Sequence, residues 1–121
     1  MTKKALSIDD YPLAEKRPEL VSSFGCKDLD EITIEAVISG QVSMADLRIT
    51  PQALQLQAEI ARSADRNALA ENFERASEMS RLPQSLIMEI YELLRPGRAE
   101  RKRTLIHAAA RLRDEFDAER L

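Results

Sequence analysis

The sequence predicts an all-α fold, a small helical unit of about four to five helices with an extended N-terminal arm. Three observations carry that expectation. Hydrophobic residues make up 44% of the chain but aromatics only 4%, with no Trp, so the core must be built from Leu, Ile, Ala and Met, which suit helices better than strands. From about residue 50 onward, apolar positions recur at spacings of three and four. No Asn-Gly hairpin and no sustained period-two alternation occurs. The 121 residues amount to a single domain, divided into an arm over 1–29 and a helical domain over 30–121.

The arm is shaped by its prolines. Pro12 and Pro18 each lack a backbone donor and push the preceding residue toward extended geometry. Asp10-Tyr11-Pro12-Leu13 therefore sets an aromatic and a Leu on a stretch that cannot form a long helix. Composition leaves two readings open: a mobile tail, or an arm that gains contact area by lying along another surface.

Helical character begins at Asp30 and runs about two turns to Ile38, with Ile32, Val37 and Ile38 apolar. Ser39-Gly40 stops it, since Gly takes the left-handed C′ position freely. Ser43 then caps a single turn over Met44-Ala45-Asp46. Thr50-Pro51 is the clearest helix start: Thr accepts from free first-turn amides, and Pro at N1 gives up no hydrogen bond. That helix should run from Pro51 to Ala64, with Leu54, Ala58 and Ala61 on one stripe and Ile60 beside it.

Asp65-Arg66-Asn67 breaks the pattern and can cap a second helix, Asn67 to Arg81, with Leu69, Phe73, Ala76 and Ser80 on its inner face. Glu71 and Arg75 form an i,i+4 pair on its wet side. Pro83 opens a third helix, whose face of Leu86, Ile87, Ile90, Tyr91 and Leu94 is wider than a lone surface helix needs. Arg95-Pro96-Gly97 ends it. The last segment, Arg98 to Leu121, carries Leu105, Ala109, Leu112 and Phe116 in a coiled-coil-like register.

Several function classes fall away. The one cysteine, Cys26, cannot make an intramolecular disulfide or a cysteine-rich zinc site. No apolar run approaches the about 18 residues of a membrane helix, and the start has no signal-peptide core, so a cytoplasmic location is expected. A net charge of −3 and a pI near 5.3 exert no global pull on nucleic acid. His107 is the only histidine, so His-x-x-x-His and Glu-x-x-His metal motifs are excluded. Cys26 beside Lys27 lacks a partner base, and Glu71, Glu74 and Glu78, like Glu89 and Glu92, read as solvated helix faces. No catalytic, cofactor-binding or metal-ligating residue is expected in this chain.

One charge cluster remains. Arg95, Arg98, Arg101, Lys102 and Arg103 are opposed only by Glu100. Cations at a helix start oppose its macrodipole, which points to an acidic partner surface, a nearby anion, or a well-solvated loop. With no interleaved aromatics, the run makes a poor single-strand platform, but a free-standing helical regulator binding nucleic acid through residues 95–103 stays as the rival class. A small standalone enzyme built on His107 or Cys26 is the third.

Longer blocks are more specific. Asp10-Tyr11-Pro12-Leu13-Ala14 with Arg17-Pro18-Glu19, then Leu29 through Gly40, then Asp46-Leu47-Arg48-Ile49-Thr50-Pro51 with Leu54, Gln57-Ala58 and Ile60-Ala61, stand in order along the chain. Leu69-Ala70-Glu71-Asn72-Phe73 with Arg75-Ala76, and Ile90-Tyr91 with Leu94-Arg95-Pro96, follow. Over residues 10–96 this series resembles the small subunit of coenzyme B12-dependent diol and glycerol dehydratases.

The resemblance implies a hetero-hexameric lyase with two copies each of large, medium and small subunits, turning propane-1,2-diol or glycerol into an aldehyde and water. It implies a large-subunit barrel holding substrate and a metal ion, and adenosylcobalamin between the large and medium subunits. The small subunit would be helical, non-catalytic and packed on the large one. The contact regions expected are the arm (Asp10, Tyr11, Pro12, Leu13, Pro18), the corner Arg48-Ile49-Thr50-Pro51, and Phe73, Tyr91 and Arg95. Family members continue beyond the position of Leu121, so the chain is either truncated or a short variant. Its basic segment after Gly97 implies a different docking of the last helix. The ten residues before Tyr11 are short for the extension that leads some relatives into a microcompartment, which leaves such association to partners.

Overall fold

The computed structural model describes residues 4–121; the first three residues of the arm, where the opening read as lacking a signal peptide begins, lie outside the described residues. The described residues are all-α: α1 (Leu13–Lys16), α2 (Ile34–Ile38), α3 (Pro51–Ser63), α4 (Asn67–Ser80), α5 (Gln84–Leu94) and α6 (Lys102–Phe116). Single 3-10 turns at Ile8–Asp10, Pro18–Leu20, Leu29–Glu31 and Met44–Leu47 connect them. Among these residues the only extended pairing is an isolated bridge between Ser22 and Asp28.

The arm holds more local structure than an extended strand. Ser7 accepts from the Asp9 amide while Asp10 accepts from the Ser7 amide at 2.9 Å, a capping box around the first turn. The prolines allow only single turns between them, as their lost donors require. Leu6 and Leu13 pack with Leu56 and Ile60 of α3, and Glu59 accepts from the Leu6 amide at 3.0 Å. The arm is thereby fastened to its own domain.

Where the sequence predicts a helix from Asp30, α2 begins only at Ile34, because Thr33 caps it by accepting from the Ala36 amide at 3.1 Å. It ends where expected, at Gly40, whose φ of +82° is left-handed. Thr50 caps α3 through the Ala53 amide at 3.1 Å, with Pro51 at N1. α3 and α4 form the principal packed pair of helices.

Their contact corrects the expected face of α4. Ala70 and Ser77 are buried with Ala58 and Ala61, Phe73 is half-buried at the edge, and Leu69 is pushed outward. Small residues let the two backbones approach closely, which the larger Leu69 stripe could not. Ser77 Oγ also donates to the Pro51 carbonyl at 3.0 Å, locking α4 to the start of α3.

Leu82, Leu86, Leu112 and Ala118 form a separate cluster where α5 meets α6. α6 starts at Lys102 rather than Arg98 and stops at Phe116, with Asp117 left-handed at φ +53°. The tail then turns back onto α4: buried Glu78 accepts from the amides of Arg120 at 2.9 Å and Leu121 at 2.7 Å. Leu105 and Ala109, expected on a packed seam, are exposed.

Candidate functional site

Asp46 organises the corner that leads into α3. Its Oδ1 accepts from Ser23 Oγ at 2.8 Å and from the Gly25 amide at 3.2 Å. Its Oδ2 accepts from the Ser43 amide at 3.0 Å and faces Lys27 Nζ at 3.3 Å. A Cβ on Gly25 would meet Oδ1 at 2.6 Å, so the loop needs glycine there to come this close. The Ser43 amide and Ser23 hydroxyl, with Lys27 behind them, hold the carboxyl far below the usual Asp range. The loop 22–28 is thus pinned against the 3-10 turn Met44–Leu47, and Arg48 reaches back over Phe24 with its guanidinium carbon 5.6 Å from the ring centre.

Fixing that corner presents Ile49 outward. Beside it, Ile8 and Tyr11 of the arm and Leu69 and Phe73 of α4 line a groove of about 760 Å³, floored by Ile60 and Ala61 of α3. Tyr11 is 59% exposed and Ile49 56%. Asp10, which steers Tyr11, pairs with Arg17 at 3.1 Å; the Ser7 amide and then Arg17 hold its carboxyl below the ordinary value. The groove can bury apolar side chains, each stabilising a complex by up to about 1.5–3 kcal/mol before ordering costs.

The structure thus brings together Tyr11, Ile49 and Phe73, from three stretches far apart in the chain. Arg48, Pro12 and Pro18 are exposed, but they do not line this groove. Leu13 and Pro51 pack inside the chain instead of facing out, and Thr50 serves as the α3 cap. Tyr91 lies on α5, apart from the groove, and Arg95 pairs with Glu92 at 3.3 Å. Ile8, unremarked in the sequence, and Leu69, read there as a packing residue of its helix, complete the groove. Outside the groove, Ile34, Ile38 and Met44 also stand exposed, Ile38 at 81%. Their signal was present: two isoleucines four apart, on a helix too short to need both inside.

For nucleophile, base or metal chemistry the arrangement offers little. Cys26 is exposed and His107 stands exposed on α6. Among the described residues no group of three His, Cys, Asp or Glu is placed to hold a metal ion, and no helix is long and apolar enough to cross a membrane.

A family model described as "Dehydratase small subunit" matches residues 6–121. A propanediol dehydratase small subunit of Salmonella typhimurium is 47% identical over 104 residues, 86% of this chain and 60% of that relative. Another propanediol dehydratase small subunit, from Citrobacter freundii, is 52% identical over 92 residues, 76% of this chain and 54% of that one. The chain thus spans little more than half the length of these curated relatives.

Proposed function

The chain belongs to the dehydratase small-subunit family, and on that premise we propose that it is the non-catalytic small subunit of an adenosylcobalamin-dependent diol or glycerol dehydratase. Its work is to brace the complex by seating the groove of Tyr11, Ile49 and Phe73 on the large subunit. The substrate would be propane-1,2-diol or glycerol, converted to an aldehyde and water on other chains. The assembly would hold two copies each of large, medium and small subunits.

The observation that supports this reading best is the groove itself. Ile8, Tyr11 and Ile49 stand exposed around an open apolar trough, a surface that docking on another subunit would bury. When bound, adenosylcobalamin supplies the radical that abstracts hydrogen from substrate. Among the described residues no group of His, Cys, Asp or Glu is placed to hold the metal ion, which supports placing it elsewhere in the assembly. Both groups are assigned to the partner subunits, and the reaction takes no step through this chain.

Co-expression of the tagged chain with the large and medium dehydratase subunits tests the proposal. The expected result is a complex whose mass contains all three. A Tyr11→Ala, Ile49→Asp double variant that still folds should drop out of it. A wild-type chain that recruits no large subunit overturns the assignment.

A further inference from the structure

A second apolar surface lies away from the groove. α5 and α6 close on each other at Leu86 and Leu112, then leave a cleft of about 570 Å³ along Leu93, Leu94, Leu105, Ile106 and Ala109. Leu94 is 69% exposed there. The run Ala108-Ala109-Ala110 forms a low wall that lets another backbone come close. The charged side chains on its lining are Arg113 and Glu119, and Arg113 is already paired with Asp114 at 2.8 Å.

One end of this cleft is strongly positive. Arg95 and Arg98 share Glu92, at 3.3 and 4.0 Å, but among the described residues Arg101, Lys102 and Arg103 make no ion pair. Lys102 stands one helical turn before Leu105 and Ile106, and Arg103 one turn before Ile106, so these cations flank the apolar wall. Glu100 is the one acidic residue in the run from 95 to 103. α6 also begins with no side-chain cap and no acid in its first turn, which leaves free amides and the positive end of its dipole at the same place.

We infer that this cleft docks an amphipathic helix of a partner protein, one whose apolar stripe ends in Asp and Glu residues set against residues 101–103. From Leu105 to Leu112 α6 rises about 10 Å, so roughly two turns of partner helix cover the cleft. A second copy of this chain in parallel register would bring two cationic starts together, which disfavours it. The inference goes beyond the proposed function and uses a different surface.

The test uses the full chain and two labelled synthetic helices of Leu and Ala, one with Glu and its twin with Lys at the flanking positions. Fluorescence anisotropy should show the Glu helix binding about tenfold more tightly than the Lys twin at low salt, with the advantage fading near about 1 M salt. Replacing Arg101, Lys102 and Arg103 by Ala should remove that advantage. Leu94→Glu with Ile106→Glu, both at exposed positions, should abolish binding without altering the circular dichroism spectrum. Equal affinity for the twins, no binding of either, or binding that survives the cleft substitutions overturns the inference. So does self-association in sedimentation that the cleft substitutions abolish, since it would give the cleft to a second copy. The Tyr11→Ala, Ile49→Asp variant should bind the Glu helix normally, so failure here and failure of large-subunit docking are read separately.

Discussion

The α3/α4 pair and the α5/α6 pair are built from similarly amphipathic helices, yet one is closed and the other open. In the first, alanines 58, 61 and 70 let the helices meet closely, and the arm lays Leu6 and Leu13 over the flank. In the second, contact is confined to one end around Leu86, Leu112 and Ala118, while Leu94, Leu105 and Ile106 face solvent. Amphipathic patterning marks a face in both cases. Residue size at the crossing, and whether another segment is fastened across it, decide whether that face becomes core or remains for a partner.

The largest effect that could break this contrast is a cavity. Ile60→Ala, beneath the arm, should cost about 2–4 kcal/mol in urea unfolding, whereas Leu94→Ala in the open pair should cost less than about 0.5 kcal/mol. Similar costs at both sites would erase the distinction. Overpacking sharpens it further: Ala70→Leu should destabilise by about 1–3 kcal/mol, and Ala109→Leu should be neutral in the same titration.

Acid should act on the closed half through Asp46. Its folded carboxyl titrates below the ordinary value of 3.8, so its contribution is complete above that pH and is lost as pH falls below it. Thermal melts from pH 7 to 3 should show Tm falling by several degrees toward the acid end. Asp46→Asn should lower Tm at pH 7 and flatten part of that slope; Asp10 and Glu74, also held low by their partners, keep the remainder. The smallest effect is Glu71→Ala. Its ion pair with Arg75, at 3.8 Å and half exposed, should contribute no more than about 0.5 kcal/mol, fading with salt.

Much of the closed half was legible in the sequence because its signals are local. Thr50-Pro51 marks a helix start by backbone chemistry alone, and Ser39-Gly40 a stop. The face of α4 was not, because choosing Ala70 and Ser77 over Leu69 depends on how near α3 comes, a distance no single helix encodes. Tyr11 and Ile49 could be picked as stiff or apolar groups without an obvious core to join. Their meeting with Phe73 could not be read, since it depends on Asp46 gathering donors from residues 23, 25, 27 and 43. Leu13 shows the opposite limit: beside two prolines it looked like a contact residue, and the fold uses it as core.

Hydrogen exchange tests the docking of the groove most directly, measured on the chain alone and in complex with the dehydratase large subunit. The account predicts slower exchange on binding for peptides covering residues 8–11, 47–50 and 69–74, with the buried α3 core unchanged. Identical exchange in those three peptides, in a complex whose mass shows the large subunit present, would contradict it.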